Sequence, residues 1–484
     1  MLAPNCSRVI YTKGMLMLIK MASFSMAACI FAYAAVCAAG EIKTENPTQV
    51  TLANNIDAVI APRYRPGEPG AVLLVIKDGH VLFRKAYGEA DVLTHTPLSP
   101  DMAMPIGSMT KQFTAVAVML LAESGKLSVG DPITRYLPTY PTHGKTITIE
   151  NLLTHTSGIP DYVTTPDWPS NMGHEVSTQG LLDTISQRPL DFEPGAKYDY
   201  SSSNYVLLGA IIEKVSGLPY AKFLEQRIFL PLGMKDTGYA RRLRGNAALA
   251  AGHTLVESGF IHSPPVSPSQ LSAAGGMLST VDDLARWNKA IDAGRLLSAA
   301  GWKKVFTPYR PREGTSEYGY GFQIGDSWQS TMTIRHGGRV PGFESFAMRL
   351  PEQQMYVAVL SNLDGGRTPP YEVAQRAALV TMGKALPAAP SITLDNNVFD
   401  AYVGRYQMTG LPMVVDLRRA GDQYLASVTG QETFALKALS ETRFLAESAG
   451  AELQFEKNAD GVIDRFVLLQ GPRRITAIRI AQPD

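Results

Sequence analysis

Pro105-Ile106-Gly107-Ser108-Met109-Thr110-Lys111-Gln112-Phe113 is the stretch that decides how this chain is read. After it, Phe113, Val116, Ala117, Leu120 and Leu121 recur at helical spacing, and Gly125 supplies a stop. The pattern predicts a buried amphipathic helix with Ser108 in its first turn. Ser108 and Lys111, three residues apart, then share a face. The helix N-terminus adds free backbone N–H groups and the positive end of the dipole. A hydroxyl nucleophile, a neighbouring amine and donors for an oxyanion are what acyl transfer needs. Ser-x-x-Lys alone is a common pattern, equally read as a helix cap followed by a solvated lysine. The rest of the chain has to decide between the two.

The chain has 484 residues, which predicts two or three domains. Its composition is that of a globular protein, 45% hydrophobic and 18% charged. With 45 basic against 44 acidic residues, the net charge of +1 gives no electrostatic case for a nucleic-acid partner. No internal repeat or low-complexity tract stands out.

Arg8, Lys13 and Lys20 precede an apolar run from Met21 to Ala39 that ends in Val36-Cys37-Ala38-Ala39-Gly40. Basic, apolar and small-residue regions in that order predict an export signal over residues 1–40, cut after Ala38 or Ala39. Met15 is an alternative start. If uncut, residues 21–39 would serve as a membrane anchor. All three cysteines, Cys6, Cys29 and Cys37, lie in this segment. A mature chain without them has no disulfide, thiolate metal site or cysteine nucleophile. The expected location is periplasmic or extracellular.

Further on, Ala71–Ile76 and Val81–Tyr87 flank Lys77-Asp78-Gly79-His80 and predict a hairpin. A helix is expected over Leu52–Ile60. Tyr200 lies in a loop before a helix carrying Tyr205, Leu208, Ile212 and Val215, with Gly217 as its stop and Ser202 or Ser203 as its cap. Thr331–His336 alternates as a strand running into Gly337-Gly338, and a lone histidine at a strand end is ordinarily a surface residue. Ser345–Leu350 and Met355–Ser361 predict a second hairpin, followed by a helix over Tyr371–Leu386. Residues 387–395, rich in Pro and Ala, read as a linker. From 396 to 484 the period changes to two, with short strands that predict a small β-barrel or sandwich. His155, His174, His253 and His262 have no ligand spacing such as His-x-x-x-His, so neither a metal nor another cofactor is expected. There is no Gly-x-Ser-x-Gly, which removes support for an α/β-hydrolase.

Taken together, these motifs resemble the serine β-lactamase and penicillin-binding-protein-like hydrolases, most closely the class C-like branch with its esterases, D-aminopeptidases and D,D-carboxypeptidases. Ser108-Met109-Thr110-Lys111 resembles the family's Ser-x-x-Lys. Tyr200-Ser201-Ser202 resembles Tyr-x-Asn with Ser202 replacing the asparagine. His336-Gly337-Gly338 resembles the third motif in its His-x-Gly form, where true β-lactamases usually carry Lys-Thr-Gly. Leu152-Leu153-Thr154-His155-Thr156-Ser157-Gly158, Phe192-x-Pro194-Gly195, Gly275-Gly276-Met277, Tyr318-Gly319-Tyr320-Gly321-Phe322 and Pro341-Gly342-Phe343 also fit.

The resemblance implies an α+β domain over residues 45–386. It would hold an antiparallel sheet flanked by helices and an all-helical insertion from about Leu127 to Gly276 that supplies Tyr200. A lipocalin-like all-β domain would follow. It implies Ser108 as nucleophile, Lys111 and Tyr200 sharing the proton, and an oxyanion between the backbone N–H groups of Ser108 and Arg339. Gly337, Gly338 and Ser202 would line the substrate. His336 would lie near Tyr200 and add positive charge when protonated, with a rate that depends on pH around 6 to 7. The expected activity is hydrolysis of small esters, or of peptides and amides that include D-residues. Weak β-lactamase or D,D-carboxypeptidase activity, and a catalytically idle binding protein, are the alternatives. Both motif departures argue against efficient β-lactam hydrolysis.

Overall fold

The computed structural model describes residues 47–481, apart from 240–242, 257–258, 327, 367, 387–391, 393, 422, 431–432, 447–448, 450, 458–461 and 471–472. The export signal or anchor expected over residues 1–40, and most of the expected 387–395 linker, lie outside the described residues. Among the described residues no helix is long and apolar enough to cross a membrane.

Six antiparallel strands form the central sheet, in the order Gln323–Gly325, Thr333–Val340, Phe343–Leu350, Met355–Ser361, Ala71–Lys77, His80–Tyr87. Within Ala71–Lys77, the residues Ala71 to Ile76 read as an unbroken apolar run because both faces of the sheet are covered. Alternate side chains go to opposite faces. Leu73 and Val75 join Val357 and Val359 under the helices Pro47–Ile60 and Pro370–Thr381, through Ile56, Ile60, Val373 and Ala377. Val72, Leu74 and Leu360 pack on the other side in the core that holds Phe113 and Trp287, whose rings are 4.3 Å apart. Both expected hairpins are present, and the C-terminal helix of the domain ends at Thr381, short of Leu386.

Two expectations need correcting. The segment from Leu127 to Gly276 is not all-helical. It contains the short strands Gly238–Tyr239, His253–Val256 and Gly259–His262. The last two form a hairpin that Leu363–Asp364 pairs with from outside, so a contact about a hundred residues away in sequence stabilises it. His336 is not a surface residue at a strand end. The strand Thr333–Val340 runs straight through Gly337-Gly338, and His336 sits within it, opposite Ala347 and 3% exposed.

Eight consecutive antiparallel strands from Gly404 to Ile480 close into a barrel, the first pairing with the last through Arg405 and Ile480. The sandwich alternative is thereby removed. Aromatic rings fill the interior: Phe399 and Tyr402 come from the helix Asn396–Asp400 and its exit, and meet Tyr424, Phe444 and Phe455. Ile392 donates its N–H to Ala438 O at 3.0 Å and Leu394 joins this core, so the chain is attached to the barrel before residue 396.

Candidate active site

Ser108 lies in a 3₁₀ turn, Gly107–Met109, that leads directly into the helix Thr110–Glu123. Gly107 has φ +49°, and a Cβ there would stand 2.7 Å from Arg339 N. A Cβ on Gly338 would stand 2.0 Å from Ile106 O, the carbonyl that accepts from Ser345 Oγ at 2.8 Å. The missing side chains on the two strands of chain therefore let the Arg339 backbone lie against the turn that carries Ser108.

Lys111 is fully buried one turn on. Its Nζ donates to Ser108 Oγ and to Ala274 O, each at 2.9 Å. The Ala274 carbonyl is available because Ser272, at φ 45° and ψ −143°, breaks the helix Pro268–Gly275. The same break presents Ala273 O to Thr114 Oγ1 at 2.7 Å. Burial pulls the Lys111 pKa down to about 7, against the upward pull of the Asp161 carboxylate. Asp161 is itself raised by burial, tempered by Lys111 and by the backbone N–H groups of Ser202 and Val163.

The Tyr200 hydroxyl lies within reach of the Ser108 side chain, which pulls its pKa down against burial, and its ring centroid is 4.9 Å from Lys111 Nζ. Burial pushes its pKa well above 10, so its hydroxyl keeps its proton. The loop bearing it is held by the Thr154–Tyr162 stretch. His155 stacks on Tyr200 with centroids 4.3 Å apart, its carbonyl accepts from Asp199 N at 2.9 Å, and its Nδ1 accepts from Ser201 N at 3.2 Å. Ser157 Oγ donates to Asn204 Oδ1 at 2.5 Å, and Ser203 Oγ donates to Pro160 O at 2.6 Å. The expected capping by Ser202 or Ser203 is absent: Ser201 occupies the N-cap position and makes no side-chain cap bond, while Ser202 opens the helix Ser202–Ser216.

His336 faces Tyr200 with ring centroids 6.3 Å apart. Its Nδ1 is 2.6 Å from Gly337 O, a carbonyl that can only accept, so Nδ1 carries the proton. Nε2 then accepts from the Tyr318 hydroxyl at 2.8 Å. Burial, with the Lys111 charge adding to it, holds the His336 pKa down to about 3. The expected switch to a charged imidazole between pH 6 and 7 is therefore overturned. His336 is a neutral group locked in one tautomer.

The structure thus brings Ser108, Lys111, Tyr200 and His336 together, with Ser202 at the head of the Tyr200 helix and Gly337, Gly338 and Arg339 on the adjacent strand. Sequence reasoning left out Asp161 and the carbonyl of Ala274, and it used Tyr318 and His155 only as supporting motif residues. One signal pointed to Tyr318: Gly321, at φ +75°, lets its loop lie on the Lys111 backbone, where a Cβ would meet Lys111 O at 2.6 Å.

The family model described as Beta-lactamase matches residues 53–381. The chain belongs to the beta-lactamase family. Penicillin-binding protein 4* of Bacillus subtilis (strain 168) is 29% identical to it over 433 residues, covering 84% of this chain and 94% of that one. An octameric penicillin-binding protein homologue from Pyrococcus abyssi superposes with a TM-score of 0.63 and 27% identity, covering 88% of this chain and 99% of the other. The D-amino acid amidase from Ochrobactrum anthropi SV3 gives 0.60 and 26%, covering 69% and 99%. This beta-lactamase-family chain is accordingly a serine hydrolase of the penicillin-binding-protein type, with an α+β catalytic fold and a C-terminal barrel.

Proposed function

We propose that this hydrolase forms an acyl-enzyme on Ser108 and acts, after export, on small esters or on amides and peptides that include D-amino-acid residues. The observation that carries the reading is the Lys111 amine. It sits 2.9 Å from Ser108 Oγ, and burial brings its pKa to about 7, so a large share of it is unprotonated at neutral pH. Lys111 would take the serine proton as Oγ attacks the carbonyl. Tyr200, still protonated and within reach of Ser108, is suited to hand a proton to the leaving group rather than to act as the base. The close approach of Gly107 to the Arg339 backbone supports an oxyanion site between the N–H groups of Ser108 and Arg339. One such donor stabilises the transition state by about 2.7–4 kcal/mol. His336, with both ring nitrogens engaged by Gly337 O and the Tyr318 hydroxyl, would shape the site beside Tyr200 as a neutral group.

The D-amino acid amidase likeness favours amide and D-residue substrates. The penicillin-binding-protein relatives make acylation by a β-lactam the second reading. The export signal read from residues 1–40, with basic, apolar and small-residue regions in order, supports secretion.

The test is hydrolysis of short p-nitrophenyl esters, D-amino-acid anilides and a chromogenic cephalosporin by the wild type and Ser108→Ala. Turnover lost in the variant supports Ser108 as nucleophile, and the substrate ranking assigns the class. Absence of both turnover and a fluorophosphonate adduct on Ser108 would point instead to a binding protein on this fold.

A further inference from the structure

A second cluster of chemically active side chains lies among residues that take no part in the Ser108 arrangement. His253 and His262 are cross-strand partners in the hairpin His253–Val256 and Gly259–His262. Asp91 ends the short strand Glu89–Asp91 and reaches His262 from 171 residues away. Its Oδ1 is 2.9 Å from His262 Nε2 and 3.9 Å from His253 Nε2. One ligand atom from each of the three residues lies within 4.8 Å of the others.

The protonation of His253 is fixed by its surroundings. Its ring is fully buried, and Nε2 accepts the Val92 N–H at 3.3 Å, so Nε2 bears the lone pair. Nδ1 bears the proton and donates to Asn362 O at 3.2 Å. The Asn362 side-chain amide is also near Nδ1, but its two hydrogens face three carbonyls, those of Glu89, Ala90 and Ala251. A histidine that gives one ring N–H to a backbone carbonyl and turns the other nitrogen toward a carboxylate and a second histidine has the arrangement of a metal ligand with its outer partner in place.

We propose that Asp91, His253 and His262 hold one divalent transition-metal ion, zinc being the ion that two imidazoles and one carboxylate suit best. Metal–ligand lengths near 2.0–2.1 Å in a tetrahedron put neighbouring ligand atoms about 3.3 Å apart. The two separations from Asp91, 2.9 Å and 3.9 Å, bracket that value, and the one between the histidines, within 4.8 Å, closes by at most about 1.5 Å through side-chain rotation. The metal displaces the long Val92 N–H bond to Nε2. The partly exposed sides of His262 and Asp91, at 47% and 22%, leave an entry path and a fourth position for water. The ion would tie the Asp91 turn to the hairpin across a large sequence separation. Histidine spacing along the chain does not reveal a cross-strand pair closed by a distant carboxylate.

The test is calorimetric titration of Zn²⁺ alone into the full chain, for the wild type, His262→Ala, Asp91→Asn and, as a control, the exposed His95→Ala. One ion that binds at least about tenfold more weakly to His262→Ala and Asp91→Asn, but equally to His95→Ala, is the expected result. Cobalt substitution separates this site from the cysteines of the N-terminal segment, since thiolate ligation adds charge-transfer absorption that nitrogen and oxygen ligands do not. The wild type should also melt at a higher temperature with zinc, and His262→Ala should not. His262→Ala should keep wild-type ester hydrolysis, which checks its folding separately from metal binding. Equal zinc affinity in all four proteins, or none in the wild type, overturns the proposal and leaves the cluster as a hydrogen-bonded latch.

Discussion

Replacing Lys111 by methionine should remove activity and, at neutral pH, make the protein more stable. Methionine has a similar length and no charge, so the substitution isolates the cost of burying the ammonium. In the fold the Lys111 pKa falls from 10.5 to about 7. Each unit is worth about 1.36 kcal/mol, so the wild type gives up on the order of 4 kcal/mol at pH 7 relative to a chain with no charge to bury. Against this, Ala274 O loses its donor, which costs about 1–3 kcal/mol at any pH. The net gain expected for Lys111→Met is therefore about 2 kcal/mol at pH 7.

The sign of the pH dependence follows from the same shift. The folded pKa is depressed, so between pH 7 and 10 the unfolded chain binds the extra proton, and wild-type stability rises with pH. By pH 9.5 the charge penalty has shrunk to about 1 kcal/mol, and the advantage of Lys111→Met should fall by about 3 kcal/mol over that range. Paired urea denaturation curves at pH 7 and pH 9.5 measure this, because the titrating groups outside the electrostatic reach of Lys111 behave alike in both proteins. A variant whose stability difference from wild type is the same at both pH values would refute the buried, pKa-lowered lysine.

The same lysine predicts that kcat/KM for an ester rises with pH through about 7 and levels above it, falling about tenfold per unit on the acid side. Asp161→Asn removes the carboxylate that holds the Lys111 pKa up, so the acid limb should move to lower pH. His336→Gln should lower the rate yet leave the limb where it is, because His336 stays neutral across the range; a limb that moves would return the titration to the histidine. Gly338→Ala should cut acylation by about 10²–10³, since its Cβ would collide with Ile106 O and part the Ser108 turn from the Arg339 backbone. Pre-steady-state acylation with a p-nitrophenyl ester checks this, and a rate within twofold of wild type would argue against that oxyanion site.

Several elements were legible before the fold was known, because their signals are local. Ser108 and Lys111 sit on one helix turn, and their shared face follows from helical geometry alone. The Asp78-Gly79 turn with apolar flanks gave the first hairpin, and the period-two pattern after residue 396 gave the barrel class. His336 was placed near Tyr200 by its motif, but its expected charge switch between pH 6 and 7 failed for the opposite reason. Its neighbours in sequence, including two glycines, resemble a surface turn. Burial, the Lys111 charge and the Tyr318 hydroxyl all reach it from other parts of the chain. The hairpin at His253 was missed likewise, since the strand that pairs with it is Leu363–Asp364.

By itself the sequence pointed to Ser108, Lys111, Tyr200 and His336 and to most of the secondary elements that carry them, since spacing, turn residues and hydrophobic period act over a few residues. Only the tertiary structure decided their protonation and partners. It buried Lys111 and His336, set the Asp161 carboxylate within electrostatic reach of the amine, freed the Ala274 carbonyl by breaking a helix at Ser272, and drew Asp91 to two histidines on a distant hairpin. Desolvation and charge pairing depend on distance in space, and segments a hundred or more residues apart meet only when the chain has folded.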